Sequence, residues 1–363
     1  MLNEIDLLTK LKISCFSKGI EITSGAASKL SHGGTIPLSI HEYATTGGIT
    51  FRIGDVFINA PFDEWFCNEP AAIVDIEQDS GKFFVLYGGR KFFITILPLP
   101  GYLGLVDNNG HPLTDISMSH ADRLRISPIS GCAFGCSFCD FKIKKYDLNS
   151  ENQIINSMQK AVEDTQLPIK HILISGGTPN EKDYSYYEKV CEKIITEARV
   201  PVDIMLAPRQ GGILENFIKC GCNGFSINLE IYNREIANKL MTRKWDLGLS
   251  QYARFINKAL ELTGGNGKVR SLLILGLEPL EDTIKGIEFL AKLGCDPVLS
   301  PFRPARGTSL EKWHPPTEEF LKSVYFEAQN IVSRYGVMLG PRCIPCQHNT
   351  LTIPTGNSSY FYS

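Results

Sequence analysis

Three cysteines fall within eight residues in the run Cys132-Ala-Phe-Gly-Cys136-Ser-Phe-Cys139. Three thiolates at these spacings can hold three irons of a cubane four-iron, four-sulfur cluster on one loop, and Gly131 and Gly135 let the backbone curl tightly around it. The fourth iron is then left without a protein ligand. A small molecule carrying an amine and a carboxylate can chelate that iron, and an electron can pass from the cluster to it. A zinc loop or a purely electron-transferring cluster takes four protein ligands, and no fourth cysteine lies nearby.

A second pair, Cys343 and Cys346, with His348 two residues on, brings the clustered cysteines to five of the eleven in the chain. A reducing cytosol keeps most thiols out of disulfides, so metal or redox chemistry is the first reading of both clusters. Cys191, Cys220 and Cys222 fall in or beside expected helices, where free cysteine packs as a small hydrophobe; Cys15 has no assigned role. The 37 basic and 39 acidic residues leave a formal charge of -2, too little to draw the chain onto phosphate backbones or anionic lipid. No apolar run approaches the roughly 18 residues of a spanning helix, and the start MLNEIDLLTKLKIS carries acids where a signal peptide carries bases. The expectation is a cytoplasmic protein with a small-molecule substrate and no nucleic-acid or membrane partner.

The elements that must position the triplet follow from the rhythm of the chain. From Leu124 short apolar runs alternate with stretches of helical period, the pattern of parallel βα units. Strands are expected at 124–130, 171–176, 201–207, 224–230, 268–276 and 297–302, with amphipathic helices between them. Ser150 and Gln153 fit a capping box, and a final helix ends at Gly336. Six such units within residues 119–338 suit a partial βα barrel, with an open doubly wound sheet as the competing arrangement. Residues 1–118 read as a small β-rich amino-terminal domain, with turns at Gly88-Gly89 and Asp79-Ser80-Gly81 and a polar linker at 101–115. Residues 339–363 form a carboxyl-terminal extension.

The triplet and its place after the first barrel strand resemble the radical S-adenosylmethionine superfamily, whose CxxxCxxC motif has an aromatic residue before the third cysteine, here Phe138. The resemblance implies an α/β partial (βα)6 barrel, a [4Fe-4S] cluster on Cys132, Cys136 and Cys139, and S-adenosylmethionine bound to its fourth iron. Reductive cleavage of that cofactor would give a 5′-deoxyadenosyl radical that takes a hydrogen atom from the substrate, with flavodoxin or ferredoxin as electron donor. Ser175-Gly176-Gly177-Thr178-Pro179 stands where these enzymes carry a GGE-like segment for the cofactor's amino group. Asn228-Leu229-Glu230 followed by Arg243 is similar to the biotin synthase branch, and implies Asn228 and Glu230 toward the ribose and amino groups and Arg243 toward the carboxylate. LLILGLEPLEDT is similar to the segment against the adenine, with Leu275 and Gly276 as its apolar edge, and PFRPARGTSL is similar to the sixth strand of that branch.

The likeness covers residues 120–315 and then stops. The barrel strands PVDIMLAPRQ and KVRSLLILG lack the cysteines that hold biotin synthase's sacrificial cluster, so biotin formation is not expected. Cys343 and Cys346 are instead a candidate second site: an auxiliary iron–sulfur cluster completed by Cys295, Cys67 or another distant thiol, a zinc knuckle, a redox dithiol, or inert thiols. Coming after the last helix, the extension is expected to fold across the substrate side of the barrel as lid, cluster carrier or clamp. Arg209 after the third strand and Arg303 and Arg306 after the sixth are candidate ligands for an anionic substrate. Two further readings stay open: sulfur or methylthio insertion fed by a carboxyl-terminal cluster, and a non-radical iron–sulfur or zinc scaffold or electron carrier. The run Ser358-Ser359-Tyr360 is similar to the ending of lipoyl synthase, whose amino-terminal cysteines are absent here.

Overall fold

Six parallel strands form where the alternation of apolar runs predicts them: β1 Arg123–Ile126, β2 His171–Ile174, β3 Val202–Met205, β4 Gly224–Ser226, β5 Val269–Leu275 and β6 Asp296–Pro301. The computed structural model describes residues 6–31, 36, 47–356 and 358; Ser359 and Tyr360 lie outside them. Ile126, Ile172, Ile174, Ile204, Phe225 and Leu273 are all fully buried. These residues belong to the core that the strands share with the helices, which is why the apolar runs stand out in the sequence.

The strands lie side by side in the order β1 to β6, with Ser117–His120 added antiparallel to β1. This order decides between the two competing arrangements. A doubly wound sheet reverses at a switch point so that helices cover both faces. Here the order never reverses, so each right-handed crossover leaves its helix on the same side and the sheet curls into a half-barrel. The helices are α1 Glu151–Val162, α2 Tyr184–Glu197, α3 Ile213–Lys219, α4 Arg234–Leu240, α5 Leu249–Thr263, α6 Leu280–Lys292 and α7 Glu318–Tyr335. The capping box at Ser150 and Gln153 forms as expected, and α7 stops at Gly336, which takes the left-handed conformation with φ 67°.

The amino-terminal region carries the expected turns: Gly88 and Gly89, both at positive φ, join Phe83–Tyr87 to Arg90–Phe93. It also holds a helix, Leu7–Lys18, that the β-rich reading missed. Asp6 caps it by accepting from the Leu8 and Thr9 N–H groups, and Gly19 ends it. Its burial explains the omission. Leu11 and Cys15 pack among the amino-terminal strands, while Ile13 and Phe16 belong to the barrel core. A helix buried on two sides loses the one-sided stripe that marks helices in a sequence.

The extension is not where it was expected. Gly340 N–H donates to Pro297 O at 2.8 Å and Leu351 N–H to Leu299 O at 2.7 Å, so the segment runs along β6 at the edge of the sheet. Arg342 clasps the Asp296 carboxylate at 2.7 and 3.2 Å at the start of that strand. Cys343 and Cys346 reach Asp122, just before β1, and His171, the first residue of β2. These are the amino-terminal ends of the strands, opposite the end where a βα barrel places its chemistry. The extension is therefore neither a lid nor a clamp over the substrate side.

Candidate active site

The carboxyl ends of the strands converge on a cavity of about 740 Å³ lined by Cys132, Cys136 and Cys139 together with Phe138, Gly176, Gly177 and Thr178, and further on by Asn228, Glu230 and Lys244. Each wall has a local cause. The loop after β1 carries the cysteines and is braced from two sides. The Gly135–Cys136 segment pairs antiparallel with Met241–Thr242, and Ser137 N–H donates to Leu240 O at 2.7 Å. On the other side, Ala133 N–H donates to Thr178 O at 2.8 Å. Gly177 is required there because a β-carbon on it would stand 1.7 Å from the Gly131 carbonyl oxygen.

One of the three sulfurs is met by backbone donors. Cys132 Sγ accepts from Phe134 N–H at 3.3 Å and from Thr178 N–H at 3.2 Å. Such bonds to sulfur favour a ligating thiolate and help set the potential of a cluster. Burial pushes the Cys139 thiol up to about 12 and raises Cys136 well above the ordinary range, so a metal bound there would have to displace their protons. Among the described residues, only Asp122, His171, Cys343 and Cys346 bring three or more donor atoms within 4.8 Å of one another. The triplet is thus spread around its cavity, as the separate corners of a cubane require and a single ion does not. Among the described residues, no other cysteine and no histidine lines that cavity.

The opposite wall is polar. Glu230, at φ 66°, holds Lys244 at 2.8 Å, and both side chains are nearly buried. Burial is the largest influence and opposes the charge on Lys244, but the Glu230 carboxylate, together with smaller contributions from Tyr252 and Cys136, holds the ammonium above its usual range. The second carboxylate oxygen, Glu230 Oε2, is buried with no hydrogen-bond partner, as is Arg209 Nη1 on the same cavity. Unsatisfied buried polar atoms of both signs fit a zwitterionic ligand with an amine and a carboxylate. Asn228 Oδ1 accepts from Ser226 Oγ at 2.8 Å and Leu272 N–H at 3.2 Å, which fixes the side chain against the cavity.

Several expected residues fall elsewhere. Arg243 is exposed and donates to Ala133 O at 3.3 Å, steadying the cysteine loop; its neighbour Lys244 is the one that faces the cavity. Leu275 is fully buried among the helix-facing residues, and a β-carbon on Gly276 would meet Pro316. Successive residues of a strand face opposite ways, so it is Leu272 and Ile274 that face the barrel interior. Cys295 and Cys67, expected to complete the second cysteine site, do not join it; His171 and Asp122 do. His348 turns away, with Nδ1 against Pro345 O and its ring centroid 4.2 Å from that of His120.

A second cavity of about 730 Å³ continues inside the half-barrel from the shared wall of Phe138, Cys139, Gly176, Met205, Asn228 and Glu230. Its lining is mostly apolar, with Phe141, Leu272, Ile274 and Phe302, and it holds two cations, Arg125 and Arg303. Arg125 escaped the sequence reading, although its alternation with Leu124 and Ile126 in β1 marks it as facing the other way. The three expected guanidiniums do not meet. Arg303 lines this chamber but bonds to the Asn59 side chain and carbonyl. Arg209 lies on the first cavity, stacked 3.4 Å from the Tyr184 ring centroid. Arg306 is exposed and pairs with Glu64 at 3.2 Å.

Residues 126–299 match the family model of the radical SAM superfamily. No curated protein sequence matches the chain. Among solved structures, the chain is similar to the FeFe-hydrogenase maturase HydG from Carboxydothermus hydrogenoformans, at 17% identity, a TM-score of 0.45, and coverage of 61% of this chain and 55% of that one. It is also similar to methylornithine synthase, at 17% identity, a TM-score of 0.44, and coverage of 60% and 70%. A radical SAM methyltransferase from Sphaerobacter thermophilus gives 14% identity, a TM-score of 0.46, and coverage of 74% and 76%. The chain spans just over half the length of the maturase.

Proposed function

Residues 126–299 match the radical SAM superfamily, and on that premise we propose that the chain is an enzyme of S-adenosylmethionine-cleaving radical chemistry that abstracts a hydrogen atom from a small anionic metabolite held inside the half-barrel. One observation carries this reading: the cavity lined by the three cysteines shares a wall with the inner chamber, so a radical made in the first is one residue layer from a substrate in the second.

Cys132, Cys136 and Cys139 would hold a [4Fe-4S] cluster, and the residues around them suit S-adenosylmethionine. When bound, the reduced cluster and this cofactor supply a 5′-deoxyadenosyl radical, with methionine as the other product. The backbone at Gly176, Gly177 and Thr178 and the free oxygen of Glu230 offer acceptors for the amino group, and Arg209 Nη1 offers a donor for the carboxylate. Asn228 is held where a ribose hydroxyl would need a partner. Phe138, 7% exposed, fills the wall between the two cavities and keeps water from a reactive intermediate. In the chamber, Arg125 and Arg303 supply positive charge beside an apolar lining, which favours a compact substrate with a carboxylate or phosphate. A low-potential donor such as flavodoxin or ferredoxin would deliver the electron.

The position of the extension weighs against sulfur or methylthio insertion fed from Cys343 and Cys346, because those thiols lie at the opposite end of the strands. The test is anaerobic reconstitution with iron and sulfide, followed by dithionite and S-adenosylmethionine. Formation of 5′-deoxyadenosine that is lost on Cys136→Ala supports the reading, as does its acceleration by small anionic metabolites. A fully loaded cluster that leaves the cofactor intact would overturn it.

A further inference from the structure

Cys343, Cys346, His171 and Asp122 form a second donor set far from the candidate active site, and its geometry is more definite than that of the first. His171 Nε2 lies 3.2 Å from Cys346 Sγ, 3.6 Å from Cys343 Sγ and 3.5 Å from Asp122 Oδ1. Asp122 Oδ1 lies 3.4 Å from Cys343 Sγ and 3.8 Å from Cys346 Sγ. All four donor atoms fall within 4.8 Å of one another. A tetrahedron built on zinc-to-ligand bonds of 2.0 to 2.3 Å has edges of about 3.3 to 3.8 Å. These separations match those edges, so the four groups already surround one point.

We infer that these four residues bind a single tetrahedral zinc ion that staples the carboxyl-terminal extension across the amino-terminal end of the half-barrel. The donor chemistry argues for one ion rather than an auxiliary cluster. A cubane puts a separate iron behind each ligand and so spreads its ligands apart, whereas these atoms are nearly in contact. Two thiolates, an imidazole and a carboxylate are all zinc ligands, and all four positions of the tetrahedron are filled by protein, which marks a structural rather than a catalytic site. Cys343, Cys346 and His171 are each 2% exposed, so the ion would be shielded from water and from exchange.

The place of the site gives it a purpose. Among the described residues, the two edges of the sheet, β6 and Ser117–His120, do not pair with each other. The extension touches both: Gly340 and Leu351 bond to β6, while His348 packs on His120. Between those contacts, Cys343 and Cys346 meet the starts of β1 and β2. On its other side, Lys12 Nζ from the amino-terminal helix donates to Gln347 O at 2.8 Å and Thr352 O at 2.7 Å. One ion would therefore fasten β1, β2 and the extension in a seam whose backbone hydrogen bonds from Gly340 and Leu351 run to β6.

The full chain is purified, reconstituted with iron and sulfide, and its zinc, iron and sulfide are counted. One zinc per chain is expected in wild type and in a Cys132→Ala, Cys136→Ala, Cys139→Ala variant, and none in a Cys343→Ser, Cys346→Ser variant whose iron is unchanged. Since the double variant can misfold, Asp122→Asn gives an independent measure, with zinc lost to a competing chelator about tenfold more readily. Cobalt-substituted wild type should show the intense visible bands of tetrahedral Co²⁺ and thiolate-to-metal charge transfer. Iron and sulfide in place of zinc, a Cys343–Cys346 disulfide found by mass spectrometry, or two free thiols with no metal would each overturn the assignment. Each can occur while 5′-deoxyadenosine formation is intact, so this site and the proposed activity stand or fall separately.

Discussion

Gly177 lies directly over Gly131, so that a β-carbon at position 177 would stand 1.7 Å from the Gly131 carbonyl oxygen and 2.9 Å from the Cys132 α-carbon. At this point the loop after β2 and the cysteine loop after β1 are seated on each other backbone against backbone. Gly177→Ala is expected to push the cysteine loop away and to lower bound iron and sulfide severalfold, with helix content unchanged. Gly248→Ala, at a glycine with nothing within 4 Å, is the control and should leave iron content as in wild type. Equal iron in Gly177→Ala and wild type would refute this account of the contact.

Glu230 and Lys244 form a nearly buried pair, and breaking it from one side should cost more than removing it whole. Lys244→Met leaves the carboxylate uncompensated, at a cost of roughly 3–5 kcal/mol in stability. Adding Glu230→Gln should restore most of that loss by removing the stranded charge. Cofactor cleavage should nonetheless be weakened in the double variant, because glutamine keeps an acceptor oxygen but not the negative charge that would face the amino group. Urea denaturation and a 5′-deoxyadenosine assay separate the two effects.

Arg209 and Arg306 test the division of labour among the arginines. Arg209→Ala should weaken S-adenosylmethionine binding about tenfold or somewhat more, the worth of one charge-assisted hydrogen bond. Arg306, exposed beside Glu64, should change neither cofactor affinity nor stability beyond about 0.5 kcal/mol when replaced by alanine. Equal effects of the two substitutions on cofactor affinity would contradict a cofactor role for Arg209.

Lys12 should impose a pH dependence on stability. Burial pushes its ammonium down to about 7 from the ordinary 10.5, so between those values the unfolded chain holds a proton that the native chain has released. Stability therefore rises with pH across that window, by at most about 1.4 kcal/mol per pH unit, and Lys12→Met should lack this component. The difference in unfolding free energy between wild type and Lys12→Met is expected to move in favour of wild type from pH 7.5 to 9.5. A constant difference would mean that the buried amine keeps its proton.

What was legible in the sequence was local. The spacing of Cys132, Cys136 and Cys139 lies within one loop, the Ser150 and Gln153 cap within one turn, and each barrel strand within one apolar run; all are set by neighbours a few residues apart. The strands also supplied their own parity, by which Leu272 and Ile274 face inward and Leu275 does not, although resemblance to a motif pointed to the wrong face. Arg243 and Lys244 differ by a single position, and which of them faces the cavity was decided only by the pairing of Met241–Thr242 with the cysteine loop, which leaves Arg243 outward.

Other features had no local signature. The helix Leu7–Lys18 is buried against two partners and so shows no single apolar stripe, and nothing in the sequence could separate a half-barrel from a doubly wound sheet before the strand order was known. Above all, the sequence put Cys343 and Cys346 beside each other but not beside His171 and Asp122, which precede them by 172 and 221 residues or more. Sequence alone determined where closely spaced metal-ligating residue types fall along the chain, because ligand type and loop spacing are local properties. Which end of the barrel each set occupies, and which distant side chains complete it, was decided by the curl of the sheet, since only tertiary packing brings the ends of β1, β2 and the extension to one place.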